Sequence, residues 1–264
     1  FSLRFIEVIF SLVGIIAIYF LAKRFFNKPV ALISSILMSV HYLNVFFSFR
    51  ILTELPSMTF WVLSIYLFWI GYIKNESPRY LWLCGFVTAL GVLMRFPVGI
   101  IAFVFLIYLL ITERLSFLKR KNIWIAAVIF LITLTPYIIY SLATYGNIPI
   151  LSAGKIYPHK NLFIDYIKLF PLYFSSPVPF LKLGILQITL LAFIIGLFYK
   201  IFRLIIGFNL IKESEPLKRD LLLILSIILP FAYFAFYFGI FDDRYPIFMF
   251  AGAFIIISDV IYKV

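Results

Sequence analysis

Tyr80 to Thr112, YLWLCGFVTALGVLMRFPVGIIAFVFLIYLLIT, is an apolar run interrupted at one point, Met94-Arg95-Phe96-Pro97. As a single straight helix it would extend about 50 Å, whereas the hydrocarbon core of a bilayer is about 30 Å thick. Proline also disfavours helix at the residue before it. Lys74 and Arg79 precede the run, and Arg114, Lys119, Arg120 and Lys121 follow it. Loops rich in Lys and Arg stay on the cytoplasmic side of a membrane, so both ends of the run belong to one side. The pattern predicts a hairpin of two short helices, 80–94 and 97–112, turning around Arg95 at the outer face.

The same rule orders the rest of the chain. Apolar segments fall near 5–22, 29–47, 55–73, 122–143, 180–204, 220–239 and 246–261, which with the hairpin makes about nine. Every second gap carries a basic cluster: Lys23/Arg24/Lys28, Lys74/Arg79, Arg114/Lys119/Arg120/Lys121, Lys200/Arg203/Lys212/Lys218/Arg219, and finally Lys263. These hold 15 of the 23 Lys and Arg, enough to fix an outside N-terminus and an inside C-terminus. The expected fold is all-α: a polytopic transmembrane helical bundle of about nine segments, one domain over 1–264. Residues 144–179 form its substantial outer segment, rich in Tyr and Phe and expected to lie along the interface. The chain opens with Phe1 and enters the hydrocarbon almost at once, which reads as a fragment lacking an N-terminal part.

Composition excludes the main soluble classes. Apolar residues make up 64% and charged residues 13%, against roughly a quarter charged in a soluble domain. Mean hydropathy is +1.11. The net charge of +12 would suggest nucleic acid in a soluble protein. Here the cations sit in short loops between spans, so orientation and contact with anionic membrane lipid explain them and no nucleic-acid partner is expected. Cys84 is the one cysteine and lies inside an apolar run, which excludes a disulfide framework.

The outer gaps hold nearly all the side chains able to do chemistry. Glu54, in Phe49-Arg50-Ile51-Leu52-Thr53-Glu54-Leu55-Pro56, is the leading catalytic candidate and Arg50 a substrate-binding one; the plainer reading makes Thr53 or Glu54 a helix cap and Arg50 a snorkelling cation. Arg95, at the apex of the hairpin, suits a lipid phosphate, since arginine offers five donors and keeps its charge. Arg244 and Tyr245 open the last span behind Asp242 and Asp243. Two adjacent aspartates leave a divalent cation as an option, although one such pair is a weak signal because calcium wants six or more oxygens; no other cofactor is indicated. His41 and His159 are the only histidines and complete the substrate-binding candidates; several-histidine zinc sites are excluded. Glu7, one turn into the first span, is an intramembrane acid that Arg4 could pair.

Taken in order, these motifs resemble the integral-membrane glycosyltransferases of the GT-C superfamily. The likeness is to the branch of dolichyl-phosphate-mannose protein mannosyltransferases and aminoarabinose transferases. The matching pieces are Arg4-Phe5-Ile6 leading to Tyr19 through Phe26, then Arg50 to Pro56, then Gly85 to Pro97 (GFVTALGVLMRFP). Thr135-Pro136-Tyr137 leading to Tyr145-Gly146-Asn147, and Arg244-Tyr245, complete the set. The resemblance implies a sugar carried on a polyprenyl phosphate and a protein, lipid or glycan acceptor, meeting at the non-cytoplasmic face. Glu54 matches the family's second outer-loop acid, and Arg95 stands where the family has a cation near the lipid phosphate. The family's principal acid, in the loop after its first span, has no counterpart in this sequence. The membrane is expected to be a prokaryotic plasma membrane rather than the endoplasmic reticulum. The rival class is a polytopic transporter or lipid flippase, or a non-catalytic membrane subunit. Transporters place ionisable groups near the midplane of broken helices, and here the span centres are almost uncharged.

Overall fold

The computed structural model describes residues 2–146, 161–174, 184–237, 244 and 247–264. The regular elements among them are all helical: α1 Ser2–Phe25, α2 Lys28–Val40, α3 Tyr42–Ser48, α4 Glu54–Phe68, α5 Pro78–Met94 and α6 Ile100–Glu113. Then come α7 Lys121–Tyr145, α8 Phe163–Tyr173, α9 Gly184–Ile206, α10 Glu215–Ala232 and α11 Ile247–Lys263. α4 and α10 each run on through one π-helical turn, Trp69–Ile73 and Tyr233–Tyr237. Local chemistry sets several ends. Asn27 caps α2 by accepting from the Val30 amide at 3.0 Å, with proline in the first turn. Gly146, at φ 66°, closes α7 in the left-handed conformation that glycine adopts without a Cβ penalty.

The hairpin forms as expected. α5 ends at Met94, Arg95 is extended (φ −154°, ψ 120°), and a 3-10 turn, Phe96–Gly99, redirects the chain into α6. Phe105 of α6 stacks on Phe68 of α4 with ring centroids 4.2 Å apart. The Arg120 guanidinium lies 4.7 Å over the Tyr72 ring. The far end of α6 therefore meets the end of α4 from which α5 set out.

The span expected at 29–47 needs correction. It is two helices, α2 and α3, bent by 56° at His41. His41 is extended (φ −66°, ψ 131°). The bend seats the imidazole against Phe250 at 4.5 Å and Phe254 at 5.1 Å, inside the bundle rather than toward lipid. Among the described residues six helices are long and apolar enough to cross a membrane, or seven if the bent pair is one span, so length and composition alone do not reach nine. The hairpin's first arm, Pro78–Met94, is shorter.

α1 packs on α2 and α4, α4 on α5, and α5 on α7. α11 sits among α2, α9 and α10, with every residue from Ile247 to Asp259 buried. α7 is the opposite case, presenting Trp124, Leu131, Ile132 and Ile139 outward. It is held through Gly85, where an added Cβ would fall 2.2 Å from the Ala126 carbonyl oxygen. In lipid, where apolar burial between helices gains little, such close backbone contact is what binds one helix to another. Within the outer segment 144–179, α8 docks on the far end of α10: the Leu162 amide donates to the Ala235 carbonyl at 2.7 Å, and Tyr166 is fully buried.

The pole rich in Lys and Arg, inner by the positive-inside rule, is tied by ion pairs. Arg24 meets Glu76 at 3.1 Å and Lys74 meets Glu215 at 2.6 Å. Deeper in, Lys200 is 1% exposed and bridges Asp220 at 3.2 Å and Asp259 at 2.7 Å, joining α9, α10 and α11. Arg203 and Arg219 also hold Asp220, and Lys263 holds Asp259 at 2.9 Å.

Candidate active site at the outer pole

Glu54 opens α4, where a carboxylate complements the helix dipole. Thr53 precedes it without a side-chain cap bond, and its carbonyl instead accepts the Ser57 hydroxyl. The Glu54 side chain is buried, at 3% exposure, and two arginines converge on one of its oxygens. Arg95 Nη1 lies 3.3 Å from Oε1 and Arg244 Nη1 lies 3.5 Å from it. Arg95 arrives from the break in the hairpin and Arg244 from the turn before α11. Residues about 40 and 190 positions beyond Glu54 in sequence thus share its carboxylate. Both contacts are longer than the roughly 2.7–2.9 Å of a charge-assisted hydrogen bond, so Glu54 balances the guanidiniums' charge without gripping them tightly. Its other oxygen, Oε2, is buried and has no hydrogen-bond partner.

A second carboxylate stands close by. Glu7 of α1 is buried, its Oε2 is also without a hydrogen-bond partner, and the charges of Glu7 and Glu54 act on one another. Two polar ties hold this turn of α1 in place. Thr59 of α4 donates to the Phe10 carbonyl at 2.8 Å, and Ser11 donates to Asn44 Oδ1 of α3 at 3.2 Å. Sequence reasoning left Glu7 out of the site, expecting Arg4 to pair it; the Arg4 side chain lies outside the described residues. The available signal was an acid inside an apolar segment, a placement that defaults to function.

The remaining candidates divide. Arg50 is exposed and stacks on Phe46 at 3.9 Å, away from the Glu54 carboxylate. His41 belongs to the aromatic packing between the α2–α3 bend and α11. Tyr245, His159, Asp242 and Asp243 lie outside the described residues. Among the described residues no group of three or more His, Cys, Asp or Glu is placed to hold a metal.

This arrangement provides a buried acid, a neighbouring acid, and two cations at the rim of a membrane bundle. Arg95 is nearly buried and Arg244 is 39% exposed, so the second can reach a ligand at the interface. Such a set can orient hydroxyls and stabilise charge developing on a phosphate.

Comparison with known proteins bears on the family and the fold. Residues 1–140 match the family model described as dolichyl-phosphate-mannose-protein mannosyltransferase. A sequence search among curated proteins finds no match. Among solved structures, ArnT from Cupriavidus metallidurans is similar in its apo state, with TM-score 0.71 and 12% identity over 99% of this chain and 45% of that one. The same protein bound to undecaprenyl phosphate gives TM-score 0.71 at 13% identity, over 99% and 46%. The Archaeoglobus fulgidus oligosaccharyltransferase tethered to an acceptor peptide gives TM-score 0.62 at 16% identity, over 99% and 38%. The chain therefore spans less than half the length of these structures. It is an integral, multi-pass membrane protein that belongs to the dolichyl-phosphate-mannose-protein mannosyltransferase family and carries the all-helical GT-C glycosyltransferase fold.

Proposed function

We propose that this chain carries part of the active site of a glycosyltransferase that moves a sugar from a polyprenyl phosphate to an acceptor hydroxyl or amide at the non-cytoplasmic membrane face. The observation behind this reading is the convergence of Arg95 and Arg244 on Glu54 in a chain of this family. In the reaction the bond between the anomeric carbon and the donor phosphate oxygen breaks, and a bond from that carbon to the acceptor atom forms. The acceptor's proton passes to a carboxylate, and the polyprenyl phosphate leaves as an anion. Arg95 and Arg244 stabilise that anion, and Glu54, through Oε2, orients a hydroxyl of the donor or acceptor. The likeness to a protein solved with undecaprenyl phosphate and to an oligosaccharyltransferase solved with an acceptor peptide supports both kinds of partner. Mannose is the first sugar to test, because the family description names it, and a prokaryotic plasma membrane is the setting to test first.

The test is transfer of labelled sugar from a polyprenyl-phosphate donor in membranes containing the protein expressed from its natural locus. Glu54→Gln keeps the side chain's shape and removes its charge, so transfer should fall by about a hundredfold or more at equal protein level, in the range lost with a positioned acid or base. Wild-type turnover by this variant would remove Glu54 from the site. Substrate flux into proteoliposomes without any sugar transfer would assign the protein to the transporters.

A further inference from the structure

The inner pole, opposite the proposed site, contains a cavity of about 360 Å³ between the inner ends of α4, α6 and α10. Its lining includes Tyr72, Glu113, Arg120, Lys212 and Lys218. Arg120 is paired with Glu113 at 2.7 Å and rests on the Tyr72 ring. Lys212 and Lys218 form no ion pair among the described residues, so the lining carries an excess of two positive charges. The Tyr72 hydroxyl is buried and turned toward the Glu113 carboxylate. A concave lining with uncompensated cations is an arrangement that an anion with several acceptor oxygens would complete. The surrounding backbone is held in uncommon conformations: Asn75, in the lining, and Arg114, next to Glu113, are the non-glycine residues with positive φ among the described residues, at 51° and 54°.

We infer that this cavity binds a phosphate-bearing anion, and that its occupant is the headgroup of an acidic phospholipid of the inner leaflet. The chemistry alone would suit a soluble phosphate equally. The location favours the lipid, because the cavity opens between span ends at the level where anionic headgroups are concentrated and where basic pockets between helices take them up. The assignment is independent of the reading of the outer pole.

The experiment is native mass spectrometry of the protein in neutral detergent, titrated with phosphatidylglycerol and separately with phosphatidylcholine. Melting is followed in parallel with inorganic phosphate alone. Phosphatidylglycerol should be retained in preference to phosphatidylcholine. Lys212→Gln/Lys218→Gln should weaken its binding by roughly tenfold or more, from a few-fold per lysine near the membrane surface. Lys119→Gln/Lys121→Gln removes the same charge at the same pole outside the cavity and should stay within about twofold of wild type. Equal losses from the two double variants would show general attraction to acidic lipid and overturn the site. Stabilisation by inorganic phosphate that matches phosphatidylglycerol and is lost with Lys212→Gln/Lys218→Gln would assign the cavity to a soluble phosphate and overturn the lipid.

Discussion

Removing a cation from the buried network on α9–α11 should cost less stability than removing an anion, although Lys200 lies at its centre. Lys200 touches Asp220 at 3.2 Å and Asp259 at 2.7 Å. At an effective dielectric of about 20, each contact represents a gross attraction of about 5–6 kcal/mol, most of it offset by the cost of taking the charges out of water. What decides a substitution is the charge it leaves behind. Four cations, Lys200, Arg203, Arg219 and Lys263, share two acids. Lys200→Met leaves three against two, with Asp220 still held by two arginines and Asp259 by Lys263. Asp220→Asn leaves four against one, with Arg203 and Arg219 both deprived of their carboxylate. Breaking a buried pair so that a charge is stranded costs about 3–5 kcal/mol, and that figure applies to Asp220→Asn. For Lys200→Met we expect about 1 kcal/mol or less, since the methionine fills most of the volume and no acid is abandoned. At roughly 2–4 °C per kcal/mol for a chain of this size, melting of the detergent-solubilised protein should drop by about 6–20 °C for Asp220→Asn and by about 4 °C or less for Lys200→Met. A Lys200→Met loss equal to or larger than that of Asp220→Asn would refute the reasoning.

Three further outcomes follow from the packing and the sidedness. Gly85→Leu should drive α5 from α7, because even a Cβ there meets the Ala126 carbonyl at 2.2 Å; the detergent-solubilised variant should melt below wild type, and an unchanged melting temperature would remove this contact as what holds α7. Arg50→Cys and Lys121→Cys, each in a Cys84→Ser background, should react with a membrane-impermeant reagent from opposite sides of the membrane, and reaction from the same side would remove the assigned topology. Glu7→Gln removes a buried like charge beside Glu54 and should raise the melting temperature by about 2–4 °C, corresponding to about 1 kcal/mol; a fall would show that Glu7 is held by a cation.

The hairpin was legible because three independent cues agreed at one place: an over-long apolar run, basic residues at both ends, and proline after Arg95. Sidedness was legible for the same reason, and it brought Glu54, Arg95 and Arg244 to one pole, where they meet. Their contact was not legible, since hydropathy orders helices along the membrane normal and says nothing about which are neighbours around it. That limit also hid the inner network: Lys200 reads as one more loop cation, and its burial depends on Asp220 and Asp259, which α10 and α11 supply from 20 and 59 residues away. The break at His41 escaped because no proline, glycine or charged residue marks it; only the ring's packing against α11 makes a bend favourable. Arg50, read as a substrate-binding candidate in the same outer connection, precedes α4 and stacks on Phe46 instead.

The enclosure of α11 has a consequence for biogenesis. Ile247–Lys263 follows in sequence every helix that surrounds it. During synthesis its neighbours must already be in the bilayer, with a slot between them filled by lipid tails. Asp220 waits there on its arginines, and Lys200 lacks one of its two carboxylates. Arrival of α11 evicts those tails, delivers Asp259 to Lys200, and brings Arg244 up to Glu54 in the same movement. Closure of this slot and assembly of the outer carboxylate–arginine cluster are thus one event, so a chain stalled before Ile247 would hold neither.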